Sequence, residues 1–239
     1  MKKALVLTLA LLTATAFAEK VNVFSCGFEE GEGFSTGTIA GQEGWSLNGT
    51  EMGQMTIVDT TSYAGDQSFR IYHPEQSWGD NDAIKSVSYE NPYEVDVIIS
   101  YMVKPGNNYC SFGPKDKNNQ LMFNLYVGKN EIGGDLPTYT SKGVSLDPDQ
   151  WCPVEILISP KTSKIKSVTV GDYVLVSPSE EPRDYYGSAS GDLGKLVFFT
   201  KWHYMTETFV DDISIDLVPE PASVGLLALL GLAFLRKRS

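Results

Sequence analysis

From residue 55 to residue 217, apolar side chains recur mostly at every second position. The clearest run is Glu94–Val103, where Val95, Val97, Ile99, Tyr101 and Val103 share one face. A period of two is that of a half-buried strand. Shorter runs of the same kind are Met55–Thr60, Ser68–His73, Leu121–Val127, Pro153–Ser159, Ile165–Val170, Tyr173–Val176, Leu196–Trp202 and Phe209–Leu217. Most are β-branched or aromatic, which suits a pleated surface. Turn residues separate them: Lys104-Pro105-Gly106-Asn107-Asn108, Gly113-Pro114-Lys115-Asp116, Gly133-Gly134-Asp135, Asp147-Pro148-Asp149 and Val170-Gly171-Asp172. No amphipathic helix of three turns is visible between the termini. The pattern predicts an all-β domain over residues 19–217, a two-sheet antiparallel β-sandwich. The polar run Ser177–Gly191 reads as a long surface loop.

The two ends break this pattern. Lys2 and Lys3 precede the apolar run Ala4–Leu12, and Ala16-Phe17-Ala18 has the small-x-small form of a cleavage site. Residues 1–18 therefore read as a helical signal peptide, with the mature chain beginning at Glu19. At the other end, residues 218–239 hold Pro219-Glu220-Pro221, an apolar stretch from Ala222 to Leu235, and the basic stub Arg236-Lys237-Arg238. The apolar stretch falls short of the roughly 20 residues of a full span. It predicts a short, marginal transmembrane helix with its basic end in the cytoplasm and the sandwich outside.

Charge sharpens the picture. The whole chain carries 19 Lys and Arg against 30 Asp and Glu, a net charge of −11. Five of the bases and only one of the acids lie in the two ends, so residues 19–218 hold 14 bases and 29 acids, a net of −15. Such a surface repels nucleic acid and anionic lipid and attracts cations. Three cysteines, Cys26, Cys110 and Cys152, leave one bridge possible and its pairing open. Two histidines, His73 and His203, with no Cys-x-x-Cys spacing, argue against zinc.

The C-terminal stretch resembles a PEP-CTERM sorting signal: Pro219-Glu220-Pro221-Ala222-Ser223, an apolar helix, then Arg236-Lys237-Arg238-Ser239. That resemblance implies an exosortase-type processing enzyme as partner. It also implies membrane anchoring before processing, and a final place at the cell surface or in the extracellular matrix of a Gram-negative-type bacterium. It implies an address and no activity. A second resemblance runs through the body. Phe28-Glu29 opens a stretch ending Gly41-Gln42-Glu43-Gly44-Trp45; Tyr63-Ala64-Gly65-Asp66 follows; Phe209-Val210-Asp211-Asp212-Ile213 closes. Together they are similar to the concanavalin-A-like and carbohydrate-binding-module jelly rolls.

The jelly-roll resemblance implies a structural Ca²⁺ held by Glu29, Asp212 and the Gly65–Asp66 turn. The donors suit the ion, which takes six to eight hard oxygens in tolerant geometry. Asp211 and Asp212 alternate on a strand, so at most one faces inward. Asp80-Asn81-Asp82 is a lesser oxygen-rich candidate. For catalysis, laminarinase-type jelly rolls carry two glutamates and an aspartate on one strand. Here Glu94 and Asp96 match, but isoleucine stands where the second glutamate belongs. Without the proton donor the retaining mechanism fails, and the two acids read as the polar edge of a strand. For glycan binding, sugars stack on exposed rings. The aromatics in or beside expected loops are Tyr72, Trp78, Tyr109, Tyr139, Tyr185, Tyr186, Trp202 and Tyr204, with Trp78, Tyr185 and Tyr186 the leading candidates. Trp45 and Trp151 are expected in the core. The expected function is non-catalytic: polysaccharide binding or matrix assembly. The alternatives are a purely structural matrix protein and a divergent polysaccharide hydrolase.

Overall fold

The computed structural model describes residues 20–49, 54–73, 81–91, 94–107, 109–136, 138–200 and 206–219. Expectations for the signal peptide, Trp78, Trp202, Tyr204, Glu220, Pro221 and the apolar tail fall outside these residues. The strands of the first half are β1 (Val21–Cys26), β2 (Gly37–Thr38), β3 (Trp45–Gly49), β4 (Gln54–Val58), β5 (Ser68–His73), β6 (Asn81–Ser86), β7 (Asp96–Lys104), β8 (Cys110–Phe112) and β9 (Lys115–Asp116). The second half supplies β10 (Asn124–Val127), β11 (Glu131–Asp135), β12 (Tyr139–Gly143), β13 (Cys152–Ser159), β14 (Lys164–Val170), β15 (Tyr173–Val176), β16 (Arg183–Asp184), β17 (Leu193–Thr200) and β18 (Thr206–Val218). A single 3₁₀ turn, Glu30–Glu32, is the one helical element among the described residues. No described helix is long and apolar enough to cross a membrane.

All pairings are antiparallel, in two sheets. One runs β15-β14-β13-β7-β18-β5-β4-β2, with β1 on β18 and β16 on β14; the other runs β12-β11-β10-β8-β17-β6-β3, with β9 on β17. Alternation decides which faces meet. In β7, Val97, Ile99, Tyr101 and Val103 join the core, and in β10 Leu125 and Val127 do the same. An aromatic seam joins the layers. Phe198 of β17 lies with its ring centre 5.5 Å from Tyr101 of β7 and 6.1 Å from Phe69 of β5. Within its own sheet it meets Phe112 at 4.9 Å and Trp45 at 6.3 Å. The observed fold is thus an all-β, two-sheet antiparallel sandwich. Trp45 sits in the core as expected, whereas Trp151 is only half-buried, edge-on to Tyr63 at 6.1 Å.

Three local expectations are corrected. Gly133-Gly134-Asp135 forms no turn; it lies inside β11. A Cβ on Gly134 would come 1.7 Å from the Asn124 carbonyl oxygen, so the glycines serve close strand approach rather than chain reversal. The run Ser177–Gly191 is not wholly surface loop. It contributes β16 to the sheet edge and drives Tyr185 into the core, 4% exposed. Asn81 and Asp82 belong to β6, which removes them from any open oxygen-rich loop. Cys26, Cys110 and Cys152 are all free and buried. Burial pushes the Cys26 and Cys110 thiols up to about 12, so they behave as small apolar groups at neutral pH.

Candidate functional site

The outer face of the eight-stranded sheet carries a tyrosine cluster. Because Leu125 and Val127 point inward, Tyr126 between them must point out. It stands opposite Ser111 of β8 and Gly133 of β11. Gly133 has no side chain to fill the space, and a Cβ there would meet the Tyr126 hydroxyl at 2.6 Å. The Tyr126 ring therefore lies over bare backbone, an aromatic-over-glycine pairing. Tyr109, just before β8, packs edge-on to Tyr126 at 4.9 Å. Tyr139, opening β12, is 68% exposed and tilts against Tyr126 at 6.4 Å.

Glu131 ties these rings together. Its Oε2 accepts from the Tyr109 hydroxyl at 2.8 Å and its Oε1 from the Tyr126 hydroxyl at 3.2 Å. The Tyr126 and Tyr139 hydroxyls share a further bond of 2.8 Å. The Tyr109 bond holds the Glu131 carboxyl below its ordinary range; burial, the next largest effect, opposes it, and bonds from Ser141 and Tyr126 add to the lowering. Burial pushes the Tyr126 phenol well up, and its contacts with Tyr139 and Glu131 push it further. At neutral pH the cluster therefore centres on an ionised Glu131 carboxylate and a neutral Tyr126 phenol. Phenols of this kind can both donate and accept hydrogen bonds. The described contacts of Glu131 are phenols and hydroxyls, and no second carboxylate joins them.

The sequence-expected aromatic sites are distributed differently. Tyr186 is exposed, with its amide donating to the Met122 carbonyl. Tyr185 is withdrawn as an exposed ring, because the chain crosses the end of the sandwich there and places the side chain between the layers. Burial raises its phenol, with Tyr89 and two aspartates adding. Tyr126 and Glu131 were missed. The signal for Tyr126 was present: it is the polar phase of the alternating Asn124–Val127, two strands from the Tyr109 position.

At the other layer, two carboxylates clasp the Tyr63–Gln67 turn. Both oxygens of Glu29 accept from the Asp66 amide at 3.1 Å, and Oε1 also accepts from the Gln67 amide at 3.1 Å. Gly65 sits at φ +65°, a left-handed conformation that favours glycine, and a Cβ there would come 2.3 Å from Glu29 Oε1 and displace that carboxylate. The second clasp is Asp211, which takes the place expected of Asp212. Its Oδ2 accepts from the Tyr63 and Ala64 amides at 2.8 and 3.3 Å. The reason is a bulge in β18. Asp211 pairs with Met102 but Ser214 with Ser100, so one extra residue is inserted, and Asp212 absorbs it at φ 50°. The bulge lets Val210 and Ile213 both face the core, turns Asp211 under the Tyr63 loop and leaves Asp212 exposed. Burial pushes the Asp211 carboxyl up to about 6, although amides of Tyr63, Asp212 and Ala64 oppose it. Among the described residues no three Asp, Glu, His or Cys side chains converge. Glu29 and Asp211 offer hard oxygens of the kind Ca²⁺ takes, and in this structure those oxygens are met by amide N–H groups of the turn.

The acids Glu94 and Asp96 form no catalytic pair. Glu94 sits in a turn at φ 48°, its amide on the Asn91 carbonyl, and Asp96 is held by Lys166 at 2.5 Å. No family model matches this chain, and no curated protein does. Solved structures do. A carbohydrate esterase from the Shiga toxin-encoding bacteriophage phi24B superposes with a TM-score of 0.54 at 13% identity, over 84% of this chain and 100% of that one. A sialidase gives 0.51 at 9% identity over 72% of this chain, which spans only 17% of the sialidase. The xylan-binding CBM22-1 domain of a Paenibacillus barcinonensis protein gives 0.42 at 17% identity, over 85% of this chain and 99% of that domain. At these identities the likeness to the esterase and the sialidase is one of fold alone.

Proposed function

We propose that the chain is an exported, non-catalytic glycan-binding sandwich of the cell surface or extracellular matrix, with polysaccharide as its partner. The observation that carries this is the Tyr109–Tyr126–Tyr139 cluster locked around Glu131 on an outer sheet face. Aromatic rings present apolar faces to the C–H surface of a sugar, and phenols and a carboxylate meet its hydroxyls. The cluster is held by its own hydrogen bonds, so little side-chain entropy is lost on binding. Among the described residues Glu131 meets phenols and hydroxyls, an arrangement suited to holding the hydroxyls of a glycan. In this reading the 218–239 tail delivers the domain through an exosortase-type enzyme after transient membrane anchoring, with Pro219, Glu220 and Pro221 as its recognition point.

The test is retention of the purified protein on insoluble and immobilised polysaccharides, with reducing-sugar release assayed in the same mixtures. Retention without sugar release is expected. Tyr126→Ala should weaken it about 30-fold, the loss of an aromatic anchor worth roughly 2 kcal/mol. Tyr139→Phe, which keeps the ring and removes one hydroxyl, should cost less. Sugar release from any polymer would replace this reading with the hydrolase alternative. Retention on none would leave the structural-matrix alternative.

The same reading gives the sandwich a structural Ca²⁺ at Glu29, Asp211 and the Gly65–Asp66 turn, where it would neutralise a buried carboxylate. At 100 times its dissociation constant, a cation that binds only the folded state adds about 2.7 kcal/mol. For a domain of this size that is a rise in Tm of roughly 5–10 °C. Thermal unfolding with Ca²⁺ and with chelator should show this for the native chain. It should show no rise for Asp211→Asn and a full rise for Asp212→Asn. Equal melting of the native chain in both buffers would remove calcium from the account.

A further inference from the structure

The outer face of the ten-stranded sheet carries a groove that the tyrosine cluster does not use. Its floor is a row of side chains across β5, β18 and β7. Tyr72 stands opposite Glu207, and Phe209 stands opposite Arg70 on one side and Lys104 on the other. Their neighbours Ile71, Val210 and Val103 are in the core, so alternation turns this row outward. Pro105 and Asp149, from two loops, complete the walls of a cavity of about 310 Å³. That volume is at the small end of the range for small-molecule sites.

The polar groups in the groove are held ready. Arg70 bonds Glu207 Oε1 through Nε at 2.7 Å, is steadied by Gln54 at 3.3 Å, and lies 4.6 Å over the Tyr72 ring. This orients Glu207 and leaves its second oxygen available as an acceptor. The Lys104 ammonium lies 6.0 Å from the centre of the Phe209 ring and makes no ion pair with any described residue. A half-buried ammonium in a groove, steadied only by an aromatic face, is a donor looking for an oxygen. Arg70 is not part of the lining but pairs with Glu207 from beside it, and within the lining Lys104 offsets Asp149. The groove is therefore locally neutral, with donors and acceptors set between ring faces. That lining matches a polyhydroxylated ring. It does not match a polyanion, which the −15 charge of residues 19–218 also repels.

We propose that this groove is a second saccharide site, for neutral sugar units, on the side of the sandwich away from the tyrosine cluster. The two sheets pack through their inner faces, so their outer faces point in opposite directions. One chain then holds two glycan strands at once and cross-links them. The cross-linking rests on the glycan reading of the tyrosine face; the groove's own binding does not.

The experiment compares the native protein, Tyr126→Ala, and Tyr72→Ala with Lys104→Ala, each checked for unchanged melting. The probes are cellulose, xylan and mixed-linkage β-glucan, with polygalacturonate as the anionic comparison. Tyr126→Ala should keep measurable retention on a neutral polymer. Adding the Tyr72 and Lys104 changes should cut that remainder at least about tenfold, the scale of one lost charged hydrogen bond and a ring contact. Native protein should raise the viscosity of soluble β-glucan, and neither variant alone should. The groove is overturned if the Tyr72 and Lys104 changes leave retention and viscosity as in the native protein. It is also overturned if Tyr126→Ala alone abolishes all retention, if polygalacturonate is held best, or if no neutral polymer is held. If Tyr126→Ala behaves as native while the groove variant loses retention, the tyrosine-face reading fails and the groove stands.

Discussion

Replacing Phe198 by alanine is expected to lower stability by about 4 kcal/mol, within the range for a buried phenylalanine truncated in a packed core. The ring is 1% exposed and is the common neighbour of Trp45, Phe69, Tyr101 and Phe112. Two of those partners belong to the opposite sheet. The cavity would open in the seam between layers, where hydrogen-bonded strands on both sides limit how far the backbone can collapse into it. In thermal unfolding the loss corresponds to a Tm roughly 8–16 °C lower. Phe198→Leu, which keeps most of the volume, should cost less than half as much. A loss below about 1 kcal/mol for the alanine variant would mean that the seam relaxes freely, and that the aromatic cluster is not what joins the sheets.

Replacing Gly133 by alanine is expected to disable the tyrosine face while leaving the sandwich folded. The new methyl would meet the Tyr126 hydroxyl at 2.6 Å and the Thr140 carbonyl oxygen at 2.3 Å. Both neighbours can move, since Tyr126 swings outward and β12 is an edge strand. The stability cost should be about 1–3 kcal/mol, the usual range for overpacking. The displaced ring breaks its bonds to Glu131 and Tyr139, so polysaccharide retention should fall by about 30-fold, as for loss of the ring itself. Gly134→Ala is the contrasting case. Its methyl would run into the Asn124 backbone at 1.7 Å, so it should separate β10 from β11 and lose the fold with the binding. Binding by Gly133→Ala equal to that of the native protein would show that the position of Tyr126 does not matter, and the tyrosine face would lose its role.

The strands legible in the sequence were those with clean alternation or a compact β-branched and aromatic run between turn residues. Ser68–His73 and Tyr173–Val176 were read to the residue, and the core face of β7 was read in full. Strands such as β1, β3, β6, β11 and β12 were not. Asn81–Ser86 carries too few apolar residues, and β11 contains a Gly-Gly-Asp run that locally favours a turn. Those strands exist because neighbours supply their ladders, a tertiary effect that overrides propensity. Glu29, Gly65 and Asp66 were expected together as calcium ligands, and the structure brings them together through hydrogen bonds of the Tyr63–Gln67 turn to Glu29. The choice between Asp211 and Asp212 was not foreseen, because a one-residue bulge exchanges the two faces and leaves no mark in composition.

What the sequence determined by itself is the class of the molecule: an acidic all-β body whose inward positions recur every second residue. That information is local, carried by side chains two apart on one strand. What the tertiary structure decided is which outward residues meet. Tyr109, Tyr126, Glu131 and Tyr139 come from four separate places and converge only because β8, β10, β11 and β12 pair in one register. Tyr72, Lys104, Glu207 and Phe209 converge because the last strand inserts between β5 and β7. Tyr185, polar and in a loop by sequence, is buried because the chain there crosses from one layer to the other. Strand pairing is a relation between distant segments, and a period of two states which side a residue faces, never which neighbour it will find there.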